Sequence, residues 1–559
     1  MTAPAPAPPW SRDLLLLALA LGALFGFRLG SHPLANPDEG RYAEIPREML
    51  AADDFVTPRL DGVPYFEKPP LVYWTVAACL QLFGPGEWSA RAAPALFALG
   101  GVLLAYAAGR RLYGRNAGML AALALGTTLL YFALARLLIL DMAVSVLMSA
   151  TLFAFILAVH EPPGARRRWL FYGLYASAAL ATLTKGLIGF LVPGAVMFLW
   201  LLLFDQWKRL RPLHLPTGAL LFLAVAAPWH LLAAQRNPDW PRFYFIFEHW
   251  ERFFLPTHNR TEPWWFFLPI VLLGLFPWVG FLWPALRSSL AGGWARRKEN
   301  AGPWFFVTWP AFILLFFSLS QSKLIPYILP VFPPLAVLVG GWLARIGEAD
   351  AAARWRPGFN TFTFLCGLLS AGFCSAVLVP GLIREPGQAA TLRPYAFAIA
   401  GWLVAGGVAT WWIARFRGAS RGLAPLLATT LGFYLVLVFA APFIQRPGTK
   451  SLARQAAALV RPGDRVYHYR GFFHDFTFYA RRAVGTVAHP DELELQFLDP
   501  AERAARFIDE AEFRRQWAGP VRILAVARKP DAQELFADPA FRYHLLGESR
   551  DHYLFSNQP

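Results

Sequence analysis

Eight acids and four bases crowd residues 31–70: Asp38, Glu39, Glu44, Glu48, Asp53, Asp54, Asp61 and Glu67 against Arg41, Arg47, Arg59 and Lys68. The segment lies between long apolar runs, and such charge density beside a membrane calls for explanation. Arginine offers a planar fork matched to phosphate oxygens, and lysine a compact point charge. Arg41 and Lys68 thus have the chemistry that a cation needs to hold a phosphate. A juxtamembrane lysine also has a plainer use, snorkelling to lipid headgroups. Asp38 and Glu39 carry two readings. Asn36-Pro37-Asp38-Glu39 has the grammar of a helix start, with Asn36 as N-cap, Pro37 at the first helical position and Glu39 reaching back as in a capping box. The same two acids are candidate catalytic groups. Pro46 should bend or end that helix, while Pro64, Pro69 and Pro70 stiffen the loop that presents Glu67 and Lys68.

Further candidates lie along the chain. Asp141 opens an apolar run, where it either caps a helix or acts on substrate. Lys323 and Tyr327, spaced as one helical turn, could add a charge and a hydroxyl donor, or simply anchor at the interface. The loop 236–263 mixes Trp240, Phe243, Tyr244, Phe245 and Trp250 with Arg242, Glu248 and His249, and reads as an interfacial amphipathic helix. Glu67 and His249 have metal-compatible chemistry without tight ligand spacing, so a divalent ion there is no more than an option.

The elements that must position these groups are apolar. Fourteen apolar stretches occur, and thirteen are long enough to span a bilayer: about 13–30, 90–109, 117–135, 141–159, 169–184, 187–204, 217–235, 264–286, 303–319, 325–344, 360–380, 394–414 and 423–443. Leu71 to Phe83 would reach roughly 20 Å as a helix against about 30 Å of hydrocarbon, so it is expected to lie along the surface or re-enter. With the N-terminus cytoplasmic, each inside loop carries at least three bases, such as Arg110, Arg111 and Arg115 or Arg166 to Arg168. The short opposite loops hold only Arg136, Lys185, Lys323 and Arg384 with Arg393. That bias is the positive-inside pattern. It places residues 31–89, 236–263 and the C-terminus outside.

Composition agrees: 56% hydrophobic residues, 22 Trp and 48 Phe exceed the needs of a soluble core. The net charge of +16 sits mostly in the cytoplasmic loops, so topology explains it and nucleic-acid binding is not expected. Three cysteines, all in apolar segments, indicate no disulfide framework. Residues 1–9 read as a tail, and the first apolar run as a retained span. No internal repeat supports an inverted-repeat transporter. The chain therefore reads as a membrane domain, 1–444, followed by a soluble α/β domain, 445–559. In the latter, Ser451 to Val460 predicts a helix, and Arg465 to Tyr469, Val521 to Ala527 and Tyr553 to Ser556 predict strands.

The runs NPDEGRYAEIPREM and DFVTPRLDGVPYFEKPPLVYW, with Ala135-Arg136, Asp141, Leu183-Thr184-Lys185-Gly186 and Ser320 to Tyr327, resemble the lipid A aminoarabinose transferases. They resemble less closely the protein O-mannosyltransferases of the GT-C glycosyltransferase group. The resemblance covers the membrane portion and first loop well, and the C-terminal domain only in architecture. It implies a polytopic α-helical GT-C enzyme of the bacterial inner membrane, with about thirteen spans, periplasmic juxtamembrane helices and a periplasmic C-terminus. Its substrate would be 4-amino-4-deoxy-L-arabinose on undecaprenyl phosphate, its acceptor a phosphate of lipid A, and the outcome resistance to polymyxin and cationic peptides. Among the matched positions, Tyr42, Arg136 and Lys185 join the candidate substrate contacts, with Asp38, Glu39 and Asp141 as catalytic candidates and Arg41, Lys68, Lys323 and Tyr327 as phosphate contacts. Another polyprenyl-linked sugar, or a protein acceptor, is the alternative; a lipid-linked sugar transporter is the third reading.

Overall fold

Most apolar runs fold as helices, and their lengths decide what each can do. A computed structural model describes residues 9–246, 262–346, 352–385, 387–445, 448–488 and 493–559. Among the described residues eight helices are long and apolar enough to cross a membrane, or nine if one bent pair counts as a single span. The chain is a multi-pass, mostly helical membrane protein. The other five expected spans fall outside that set for identifiable reasons of length, continuity or composition. Trp10–Gly26 and Ile188–Phe204 have 17 residues each. The run 117–135 divides into Arg115–Gly126 and Leu129–Leu134. Ala165–Lys185 opens on three arginines. The run 264–286 folds as Phe267–Gly274 and Val279–Ser289, bent by 100°. Leu71–Phe83 forms a single 13-residue helix, short of the hydrocarbon thickness.

By contacts the chain divides into two units that do not follow a cut at residue 444. One comprises Met1–Leu29, Pro94–His230 and Phe245–Ile444; the other joins Gly30–Ala93 and Leu231–Tyr244 to Gln445–Pro559. In the first, Asp13 lies fully buried in its apolar helix. It accepts hydrogen bonds from Tyr106 Oη at 2.7 Å, Arg110 Nη1 at 2.8 Å, and Arg115 Nε and Nη2 at 2.8 and 2.7 Å. A carboxylate withdrawn from water needs such partners.

The second unit is built on a six-stranded mixed sheet. Its strands are β3 (Arg465–Tyr469), β4 (Gly485–Val487), β5 (Phe507–Ile508), β6 (Ile523–Arg528), β7 (His544–Glu548) and β8 (His552–Ser556), ordered β5-β4-β3-β6-β8-β7. The first four in that order run parallel, and β8 pairs antiparallel with both β6 and β7. Tyr467 and Tyr469 face a core with Phe513, Trp517, Phe541 and Phe555. His468, on the opposite face by alternation, lies among Phe472, Phe473 and Phe476 with ring centroids 5.2 to 5.3 Å away. A small hairpin, β1 (Arg59–Leu60) and β2 (Val63–Pro64), turns at Asp61-Gly62, both at positive φ. This is the Asp-Gly chemistry of a primed turn.

The charged segment forms one helix, Asp38–Ala52, packed against Leu71–Phe83 and His474–Ala480. Of the expected bend or end at Pro46, the end does not occur. Proline removes one backbone bond, and the buried residues Tyr42, Ile45 and Met49 hold the helix across the gap. Arg91 fixes the N-terminal end. Its Nε and Nη2 each donate to Glu39 carboxylate oxygens at 2.7 Å, and its Nη1 and Nη2 donate to the carbonyls of His32 and Pro33 at 2.9 and 2.8 Å.

Arg91→Met strips the counter-charge from a buried Glu39. It is expected to lower stability by about 3–5 kcal/mol, read by thermal unfolding of the purified protein; a midpoint equal to wild type would contradict that role for the pair. Acid sensitivity supplies a second test. Burial pushes His468 from 6.5 down to about 3, so below pH 6.5 the unfolded chain takes a proton that the folded chain refuses. Stability falls as pH drops through that window, by up to about 1.4 kcal/mol per pH unit for one group. Asp61, pushed up to about 7 by burial against the pull of Arg506, acts with the opposite sign. The informative quantity is therefore the difference between variants: His468→Leu should flatten the acid decline of the unfolding midpoint relative to wild type, and parallel curves would refute this assignment.

Candidate active site

Within the second unit the helix Asp38–Ala52 sorts its charges by face. Asp38 is outermost, its side chain 55% exposed, while the Arg41 side chain one turn on is 9% exposed. Arg41 Nη1 lies 3.6 Å from Asp38 Oδ1 and donates to Tyr65 Oη at 3.5 Å. Its guanidinium sits over the Tyr42 ring at 5.5 Å, and Tyr42 leans on Tyr73. The guanidinium is thus held between an acid, a phenol and an aromatic face before any ligand arrives. Lys68 stands on the proline-bounded loop, donating to the Glu67 carbonyl at 2.9 Å with the Glu67 carboxylate 3.7 Å away. Two cations, each beside one acid, can neutralise charge developing on a phosphate while keeping their own orientation.

Glu39 takes a different part from Asp38. Both its oxygens bind Arg91, and Oε2 also accepts from Ala35 N–H at 2.9 Å, which makes it a buried anchor. The capping motif forms with a change of partners. The helix begins at Asp38, and Asn36 is no N-cap: its side-chain oxygen accepts from Asp475 N–H at 2.8 Å. Glu44 is paired with Arg47 at 2.6 and 2.7 Å. Glu48 accepts from Gly62 N–H at 2.9 Å, with burial raising its carboxyl well above its ordinary range. Asp61 accepts from Val484 N–H and Arg506 Nη2 at 2.8 and 2.9 Å. These acids brace the scaffold rather than face solvent.

The first unit gathers a second group. Asp141 opens the helix Asp141–His160, but its carboxylate does not cap it; it meets Lys185 Nζ at 2.5 Å. Lys185 is the last residue of Ala165–Lys185, where Gly186 turns the chain at φ +80°, and its ammonium lies 4.5 Å from the centre of the Tyr327 ring. Three candidates far apart in sequence therefore meet. Lys323 does not share a helical turn with Tyr327, as its spacing suggested. It precedes the 3-10 segment Ile325–Val331 and donates to the carbonyls of Ser320 and Glu262 at 2.7 and 2.9 Å. Four prolines in Ile325–Leu343 explain why a regular turn does not begin earlier. Arg136 donates to Phe25 O at 2.8 Å and covers the Phe132 ring, holding two helix ends together.

His249 lies outside the described residues, as does most of the expected amphipathic helix; its visible start, Trp240–Arg242, makes a single turn with Trp240 buried against Phe66 and Tyr244. Among the described residues no group of three His, Cys, Asp or Glu is arranged to hold a metal. Sequence reasoning missed Arg91 and Asp13 as partners. The signal was a charge inside an apolar run, which requires an opposite charge nearby.

The chain is similar to known proteins. A family profile described as dolichyl-phosphate-mannose-protein mannosyltransferase matches residues 67–231, and one described as aminoarabinose transferase C-terminal domain matches 452–553. An undecaprenyl phosphate-alpha-4-amino-4-deoxy-L-arabinose arabinosyl transferase from Pectobacterium carotovorum is 33% identical over 397 residues, 70% of this chain and 69% of the relative. Its counterpart from Edwardsiella ictaluri is 34% identical over 337 residues, and the match spans 60% of each chain. The crystal structure of ArnT from Cupriavidus metallidurans bound to undecaprenyl phosphate superposes with a TM-score of 0.85, at 29% identity and 98% coverage of both chains; its apo form gives 0.84. The chain belongs to the undecaprenyl phosphate-aminoarabinose arabinosyl transferases, a family of glycosyltransferases.

Proposed function

We propose that this protein moves 4-amino-4-deoxy-L-arabinose from undecaprenyl phosphate to a phosphate of lipid A, at the periplasmic face of a bacterial inner membrane, and thereby confers resistance to polymyxin and other cationic peptides. The observation that carries this reading is that Arg41 and Lys68, two cations of the charged segment 31–70, are each held in place beside an acid. As the glycosidic bond breaks, charge accumulates on the departing lipid phosphate, and cations already oriented for it lower the barrier without reorganising. The positive-inside count supports an external position for that segment and for the C-terminal α/β domain.

A phosphate acceptor relaxes the demand for a base. Its second pKa is about 6, so much of it is already doubly ionised near neutrality. Asp38 then serves to orient Arg41 and to meet the amino group of the sugar, a role its exposure permits. In the membrane unit, Asp141 holds Lys185, whose ammonium faces Tyr327. Within its own unit this group presents a cation and a phenol suited to phosphate or sugar oxygens. Lys323 and Arg136 contribute by shaping backbone, since their donors serve carbonyls.

A protein hydroxyl acceptor is the reading favoured by the mannosyltransferase profile at 67–231. There an acid equivalent to Asp38 would have to remove a proton. Mass spectrometry of lipid A and of periplasmic protein, with and without the active gene, separates the two: a pentosamine on lipid A supports the proposal, and sugar on protein alone overturns it. In purified protein, Arg41→Gln and Lys68→Ala should each cut transfer by about 100-fold or more while leaving the unfolding midpoint close to wild type. Wild-type turnover in both variants would defeat the phosphate-cation assignment.

A further inference from the structure

The start of the motif helix rests on the C-terminal part of the chain, within a single unit. Asp475 is fully buried. Its carboxylate accepts from Asn36 Nδ2, from Thr449 N–H at 2.6 Å and from Thr449 Oγ1 at 2.9 Å, while its own backbone N–H donates to Asn36 Oδ1 at 2.8 Å. The contact is reciprocal, so it defines orientation as well as distance. Two residues into the helix, Gly40 completes the seat. A Cβ built there would lie 2.6 Å from Asp475 N and 2.7 Å from the His474 carbonyl carbon, and no other residue type fits without moving one backbone against the other. Tyr479 of the same helix, His474–Ala480, accepts from Leu34 N–H at 2.9 Å. Asp38 and Arg41 flank Gly40 in sequence, so whatever sets Asn36 and Gly40 sets the origin of both.

We propose that Asp475 is a positioning residue for sugar transfer. Through Asn36 and the close approach at Gly40 it fixes the depth and rotation of the helix that carries Asp38 and Arg41, making the C-terminal domain a working part of the transferase. This rests on the assignment of Arg41 above. Local packing alone asks for a filled contact here; it does not ask for a two-way hydrogen bond between a buried carboxylate and a side chain that could have capped its own helix. Asn36 leaves the capping role to make this bond, and Gly40 carries no side chain where the two backbones meet. Both choices favour fixed geometry over local helix stability.

The test uses the purified full-length protein with undecaprenyl phosphate as the binding probe. Binding stoichiometry counts folded, competent molecules, and turnover is expressed per binding site. Asn36→Ala and Gly40→Ala perturb the seat by independent routes, one polar and one steric. Each should lower turnover per site by about 10- to 100-fold, the scale of a misplaced catalytic group, with stoichiometry unchanged. The reciprocal variant Asn36→Asp with Asp475→Asn rebuilds a complementary pair and should recover part of the loss. Turnover that falls only in proportion to stoichiometry, or wild-type turnover in both single variants, overturns the proposal. Arg41→Gln run alongside separates the two failures: if it is inactive while the seat variants are normal, positioning by Asp475 is wrong and the cation assignment stands. If Arg41→Gln is itself normal, the underlying assignment is what fails.

Discussion

An ion withdrawn from water must be met by a counter-ion, and this requirement organises the chain at three places. Asp13 is enclosed by Arg110, Arg115 and Tyr106. Glu39 is gripped by Arg91, and Asp141 by Lys185. Each pairing costs desolvation that its Coulomb attraction roughly offsets, so its value lies less in net stability than in geometry. A buried ion pair has few acceptable arrangements, and the backbone segments that carry it inherit that restriction. Through Glu39 and Arg91 the restriction passes to the helix Asp38–Ala52.

Once that helix is fixed, its charges divide by role. Glu39, Glu44 and Glu48 turn inward to arginine or backbone donors, and Asp61 does the same from the adjoining hairpin. Asp38 stays at the exposed edge, and Arg41 lies at the boundary with its head group held by neighbours of both polarity and shape. The surplus of acids in residues 31–70 therefore belongs mainly to the scaffold. Under the proposed function the chemistry falls to the few groups at the boundary and to Lys68 on its proline-bounded loop. Glycosyl transfer from a lipid phosphate suits this economy, because the reaction needs charge placed in advance more than it needs a strong acid or base.

Much of this was legible in the residues, and the illegible part has physical causes. Periodicity and alternation located the long helices and the strands at Arg465, Ile523 and His552, because these segments keep one face apolar over several residues. Strands β4 and β5 give no such signal, being two or three residues long, and neither does the five-residue strand β7, which buries no face. The hairpin at Asp61-Gly62 was overlooked although its dipeptide is a strong turn signal. Span counting assumed one helix per apolar run, which fails where Thr127-Thr128 interrupts a helix or Phe276-Pro277 lies between two helices at a sharp bend. At the candidate site, residue type singles out Arg41 and Lys68, and the family resemblance adds Asp141 and Lys185. Their partners are separated by tens to hundreds of positions, as Asn36 and Asp475 show, and spacing carries no information about contacts of that kind.

If Arg41 and Lys68 meet the phosphate of the carrier lipid, phosphorus NMR of undecaprenyl phosphate bound to the purified protein will register the contact. Fixed cations favour the doubly charged form, so the bound phosphate should titrate at least about one pH unit below the free value of about 6. In the Arg41→Gln, Lys68→Ala double variant that depression should be lost. A bound phosphate that titrates at its free value in wild type, or that is depressed equally in the double variant, would contradict the account.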